Sequence, residues 1–140
     1  MGVYKYKILI EQNLILMLVK DDLSVASLKE LRQAIADDKD FNPSLRLLID
    51  VRGADLQIPV LDIKNFGNWY ASHSKLDPSN KKAFLTKSPD QVMKSFVFTT
   101  MSKLAGFNTF STLEACLSSL EIHSQNVDII NKELKLMDKL

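Results

Sequence analysis

Few residues in this sequence have the types and spacing that chemistry needs. They are one cysteine, Cys116, two histidines, His73 and His123, and an acid and a base two residues apart, Asp50 and Arg52. A cysteine beside a histidine would make a nucleophile pair. Cys116, however, stands among Leu113, Leu117 and Leu120 at helical spacing and reads as a small packing residue. The histidines are far apart and not spaced with carboxylates as metal ligands, so both read as surface residues. A single cysteine excludes an internal disulfide, and neither CxxC nor Cys/His zinc spacing is present. Four isolated glycines supply neither GxGxxG nor GxxxxGK(S/T), and GxSxG is absent as well. The sequence therefore predicts no catalytic set, no metal site and no cofactor. Asp50 and Arg52 alone have functional geometry, because ligands on open α/β sheets gather outside the carboxyl ends of the strands. The competing use is structural: Asp50 bonds the following loop and Arg52 pairs with a surface acid.

The elements that must position these residues are legible in the hydrophobic pattern. Tyr4, Tyr6, Ile8 and Ile10 alternate with Lys5, Lys7, Leu9 and Glu11, the period of a half-buried strand whose lysines blunt an edge. Gln12-Asn13 breaks it, and the wholly apolar Leu14–Val19 reads as a strand buried on both faces. Ser24 caps a helix carrying Val25, Leu28, Leu31 and Ile35 on one face. Leu47–Ile49 is a second buried strand, ending at Asp50-Val51-Arg52-Gly53. Pro59 opens a second helix. Ala83–Thr86 is a short strand. Ser88-Pro89-Asp90-Gln91 is the clearest helix start in the chain, with an N-cap, a proline at the first position and a capping-box Gln. Met93, Phe96, Val97, Thr100, Met101 and Leu104 predict its buried face. Phe107–Phe110 is a last strand, and Ser111-Thr112-Leu113-Glu114 opens a fourth helix. The expected core includes Ile8, Ile10, Leu16, Leu18, Leu47, Ile49, Phe84, Phe96 and Leu117. Alternating strands and helices imply right-handed crossovers onto a largely parallel sheet, with the opening hairpin adding one antiparallel strand.

Length and composition bound the rest. A chain of 140 residues fits one domain with a real core; 46% hydrophobic and 25% charged residues are ordinary for a soluble globular protein. A net charge of +1 gives no strong field toward nucleic acid or an anionic membrane. No apolar run approaches a membrane span and the N-terminus lacks a secretory pattern, so a cytoplasmic location is expected.

The layout resembles the domain family shared by sulfate transporters and anti-sigma-factor antagonists (STAS), in its SpoIIAA-like branch. Three segments carry the resemblance: the hairpin and helix from Tyr4 to Asp38, the strand Leu45–Gly53 with its terminal Asp50, and the strand-to-helix step Phe110–Leu117. It covers about residues 4–122. It implies an α/β fold, SpoIIAA-like and in outline lipid-transfer-like: a mixed, mostly parallel five-stranded sheet with four crossover or flanking helices. The tail, 123–140, adds a C-terminal helix beyond the 1–122 domain. The phosphorylated antagonists carry a serine just after the central strand. Here that stretch reads Asp55-Leu56-Gln57-Ile58-Pro59-Val60, with Pro59 near the serine's place.

The expected function is thus a non-enzymatic regulatory or protein-interaction module that docks to itself, as a homodimer, or to another protein, without a serine phosphoswitch. Phe98, about 200° round the helix from Phe96, reads as an apolar residue with no core to join. The tail carries one stripe of Val127, Ile130, Leu134 and Met137 for its own domain. A second stripe of Ile129, Leu136 and Leu140 is left for a partner. The alternative is a binder of a small apolar ligand such as a lipid, in a pocket between helices lined by Phe66, Trp69, Tyr70, Met93, Phe96 and Met101.

Overall fold

The apolar run Leu14–Val19 becomes the heart of the second strand of a five-stranded sheet in the computed structural model of the chain, which describes residues 3–101 and 106–139. The strands are β1 (Val3–Leu9), β2 (Leu14–Asp22), β3 (Arg46–Asp55), β4 (Lys82–Leu85) and β5 (Phe107–Phe110), and they lie side by side in chain order. β1 is antiparallel to β2, and every later neighbour is parallel. The hairpin turns at Asn13, whose φ of 52° is the left-handed backbone that asparagine tolerates.

The three crossovers are α1 (Val25–Ala36), α2 (Val60–His73) and α3 (Pro89–Phe96), the last running into a π-helical turn at Val97–Met101. Each crossover moves one strand in the same direction. Right-handedness therefore puts all three helices on one face of the sheet. α4 (Leu113–Ser119) folds back over the other face, and α5 (Val127–Lys139) continues there after a short 3-10 turn. Strand alternation serves both layers. Ile15, Met17, Val19, Leu47 and Ile49 face α1–α3, whereas Leu14, Leu16, Leu18, Leu48 and Leu85 face α4 and α5.

Local chemistry starts the helices where expected. The Ser24, Ser88 and Thr112 hydroxyls accept from the backbone N–H of Ser27, Gln91 and Ala115 at 3.1, 3.2 and 3.1 Å. Pro59 is the N-cap residue of α2 and offers no side-chain cap. Most of the expected core is buried, with Ile8 half-buried. Ile10 is not: β1 stops at Leu9, so Ile10 falls in the turn and is 67% exposed. Phe96 is the other correction, taken up below. The expected helical positions Met101, as a side chain, and Leu104 lie outside the described residues.

The lysines of the hairpin do more than guard an edge. Lys5 Nζ donates to the Met137 carbonyl at 2.6 Å, Lys7 pairs with Glu133 at 2.8 Å, and Lys20 pairs with Asp138 at 2.9 Å. They fix the C-terminal half of α5, where cations also suit the helix dipole. On the opposite face the tyrosines of β1 hold α1 and the turn after it: Tyr4 donates to Glu30 at 3.0 Å and Tyr6 to Asp38 at 2.8 Å.

These contacts predict an alkaline weak point. Tyr6 is pushed up to about 12 by burial and by its bond to Asp38, and Tyr4 and Tyr70 are raised too, Tyr4 by its bond to Glu30 and Tyr70 by burial. A phenol whose folded pKa exceeds its unfolded value of 10 contributes stability that is whole below pH 10 and lost as pH rises toward 12. An ultraviolet absorbance titration should show all three tyrosines ionising above their ordinary value, with unfolding accompanying the last of them. Normal titration at neutral stability would contradict this packing.

Candidate functional site

β3 runs on to Asp55, so Asp50 and Arg52 lie within the strand rather than beyond its end, a correction to the expected placement. The extension arises because β2 is also long and pairs with β3 as far as Asp22 opposite Asp55. The register shifts between Leu18 and Lys20, where β3 carries one residue more than β2. Such a bulge removes a backbone N–H from the ladder. Here Asp50 Oδ1 accepts the N–H of Arg52 at 3.0 Å. The same carboxylate takes the Arg52 guanidinium at 3.0 and 2.9 Å. Asp50 is buried and its bonds are local, while Arg52 keeps part of its side chain in water. Arg52 is raised above its ordinary value by that bond. The pair holds the bulge together, and the buried Cys116 thiol lies close enough to feel both of its charges.

Cys116 is fully buried, and its Sγ lies 3.7 Å from the Phe84 carbonyl. Burial, with the Asp50 charge, pushes the thiol up to about 12, so it is no thiolate nucleophile at neutral pH. His73 stacks on Trp69 and bonds the Trp69 carbonyl at 2.8 Å, while His123 caps the 3-10 turn. Among the described residues no group of three or more His, Cys, Asp or Glu is placed to hold a metal ion.

α3 carries the feature that the sequence reading missed. Its inward face is polar: Gln91 and Ser95 are buried, in line with Phe98 at helical spacing. Gln91 Nε2 donates to the Arg52 and Ala54 carbonyls at 3.2 and 3.1 Å, and its Oε1 accepts from Lys87 N at 2.8 Å. These carbonyls belong to the part of β3 that outruns β4, and they need donors. Gln91 meets that need, so the helix presents its polar side to the sheet. Val92, Met93 and Phe96 consequently face outward, with Phe96 58% exposed. They line a shallow groove with Thr86–Pro89 and Ser111.

The angular relation between Phe96 and Phe98 is as expected, but the facing is reversed. Phe98 is 7% exposed and joins the core, with rings of Phe66, Tyr70, Phe84 and Phe107 at 5.5, 5.6, 5.8 and 5.6 Å. The π turn lets Val97 and Phe98 both reach inward. Phe98 is therefore a core side chain and not the expected partner contact. The signal available in the sequence was Gln91 and Ser95 four apart, in phase with Phe98.

α5 packs its inner stripe as expected: Ile130, Leu134 and Met137 are buried and Val127 lies against them. Of the outer stripe, Ile129 and Leu136 are 50% and 48% exposed, and Leu140 lies outside the described residues. Two helical turns separate Ile129 from Leu136, about 10 Å, so they are isolated spots. Val92, Met93 and Phe96 are contiguous.

Between the sheet and α1–α3 lies an apolar cavity of about 120 Å³. Phe66 and Tyr70 line it as expected, and Phe98 lines it in place of Met93 and Phe96, which α3 turns outside. Trp69, also expected there, packs against the surrounding core and is not part of the lining. The polar groups on the wall include Arg32, Tyr70, Ser74, Lys75, Lys94 and Ser95.

No protein-family model and no curated protein sequence matches the chain. Solved structures do. An anti-sigma factor antagonist from Mycobacterium paratuberculosis superposes with a TM-score of 0.57 at 20% identity, over 86% of this chain and 95% of that one. An uncharacterised DUF3478-family protein of SpoIIAA-like fold from Shewanella loihica PV-4 gives 0.56 at 16% identity, with the same coverage. The chain has the SpoIIAA-like α/β fold. Among the described residues no helix is long and apolar enough to cross a membrane.

Proposed function

We propose that this protein is a non-enzymatic regulatory module that works by docking to protein, a second copy of itself being the occupant, and that it does so without a serine phosphoswitch. The observation that carries this reading is the outward apolar face of α3. Its three adjacent side chains, Val92, Met93 and Phe96, are each more than two-fifths exposed on a helix whose polar side is committed to β3. Contiguous exposed apolar area of that kind marks interaction surfaces, whereas single exposed residues need no explanation. One helix face repeated by a two-fold axis is the usual geometry of self-association. Ile129 and Leu136 on α5 are a second and smaller contact in the same reading.

The missing switch rests on the sequence. Residues 55–64 contain no Ser or Thr, and the residue that caps α2 is Pro59. A protein of similar fold is named as an anti-sigma factor antagonist, and a role by contact with another protein is in keeping with that name.

Sedimentation velocity over a range of concentrations tests this. The full chain should associate, Phe96→Asp should leave a folded monomer, and Leu136→Asp should weaken association less. A full chain that stays monomeric at high concentration, or a Phe96→Asp variant that still dimerises, would overturn the docking face.

A second reading is favoured by the cavity under α1–α3. Its lining is almost wholly apolar, and it suits a small apolar ligand held between helix layer and sheet.

A further inference from the structure

The polar groups on the cavity wall are not scattered. Tyr70 and Ser74 are one turn apart on the end of α2, where the Ser74 N–H donates to the Tyr70 carbonyl at 2.7 Å. Lys75 follows at once. Arg32 reaches the same place from α1: its guanidinium lies 5.9 Å from the Trp69 ring centre, and its charge is felt at Tyr70. Lys29 stands over the same indole at 4.9 Å. Arg32 bonds only the neutral Gln33 side chain, and neither it nor Lys75 forms an ion pair among the described residues. Lys94, on another part of the wall, is engaged by Asp90 at 3.2 Å and by the Leu56 carbonyl. An almost wholly apolar cavity thus has, among its lining residues, two cations that form no ion pair among the described residues and two hydroxyl side chains.

From this we infer that the cavity takes an amphipathic monocarboxylate, its apolar body among Leu28, Ile49, Phe66 and Phe98 and its carboxylate at Arg32, with Lys75 and the Tyr70–Ser74 hydroxyls beside it. The inference rests on the ligand-binding reading of the cavity and adds the ligand's class. Size bounds the body. A dry engineered cavity of about 150 Å³ holds benzene, so about 120 Å³ fits roughly five carbons, the tail of hexanoate. Charge selects the head. A guanidinium fork matches the two oxygens of a carboxylate, and hydrogen bonds to an ionised group are stronger than neutral ones. A neutral alcohol of the same length would fill the cavity and leave Arg32 where it is.

Trp69 is the single tryptophan of the chain, and Lys29 and Arg32 both lie over its ring. Its fluorescence therefore reports the surroundings of Arg32, while calorimetry reports binding. Hexanoate and hexan-1-ol are titrated into the full chain and into Arg32→Gln, Ala36→Leu and Val51→Phe. Hexanoate should bind roughly ten- to hundredfold more tightly than hexanol, and Arg32→Gln should remove that difference without weakening hexanol. Ala36→Leu, which adds volume at the wall, should weaken both ligands, and Val51→Phe should abolish both if it folds. Equal affinity for the two ligands would overturn the carboxylate assignment and leave the cavity reading standing. Binding of neither at millimolar concentration would overturn both. Hexanoate binding that survives Arg32→Gln and Ala36→Leu unchanged would place the ligand outside the cavity and overturn the inference as well.

Discussion

Ending the chain at Ile122 is expected to abolish cooperative folding. The tail follows a break at His123–Asn126 and looks separable in sequence, but its inner stripe is part of the second core. Ile130, Leu134 and Met137 are buried over Leu9, Leu14, Leu16 and Leu18. Burying a large aliphatic side chain is worth about 1.5–3 kcal/mol, so the three contribute roughly 5–9 kcal/mol. A domain of this kind is stable by only about 5–15 kcal/mol in all. The truncation also uncovers the sheet residues beneath, which adds to the loss. Lys5, Lys7 and Lys20 set where α5 lies more than how strongly it holds, since exposed ion pairs contribute little. Urea unfolding of residues 1–122 against the full chain measures this. A sloping or absent transition is expected. A cooperative transition within about 1 kcal/mol of the full chain would mean that α5 is an appendage.

The second large effect is a contrast between two phenylalanines two residues apart. Phe98→Ala should cost about 3–5 kcal/mol, because it empties a position ringed by four aromatic side chains. Phe96→Ala should change stability by no more than about 0.5 kcal/mol, as expected of an exposed residue without a partner in its own chain. Periodicity alone favours the opposite ranking, so the pair discriminates between two orientations of α3. A larger loss at Phe96 than at Phe98 would reverse the helix and remove the docking face with it.

That contrast marks where sequence reasoning stops. The strands at Leu14–Val19 and Leu47–Ile49, the caps at Ser24, Ser88 and Thr112, and the packing role of Cys116 follow from local pattern, and each is present in the structure. The crossover rule then sets the mostly parallel sheet. The orientation of α3 does not follow from its own residues. The apolar moment of a helix ordinarily points to the core, but here the core side is decided by the unpaired carbonyls of Arg52 and Ala54, which sit almost forty residues earlier and call for Gln91. The partner of Arg52 was likewise hidden. A strand that ended at Ile49 would have left Asp50 free for a ligand, whereas the bulge turns it back on its own strand. The lysine contacts to α5 span more than a hundred residues and leave no local signal at all. A cavity between helices is legible in composition, but Met93 and Phe96 of its expected lining lie outside it because α3 is turned over.

The central claim is that α3 turns its apolar face outward and that this face is where the protein docks. Hydroxyl-radical footprinting of the full chain, dilute and then concentrated, tests it most directly. Met93 and Phe96 should label readily when dilute and become protected together on concentration, while exposed Ile10 and Leu61 keep their labelling and Phe98 stays protected throughout. Protection that appears at Ile129 and Leu136 with Met93 and Phe96 unchanged, or strong labelling of Phe98 in the dilute protein, would contradict the account.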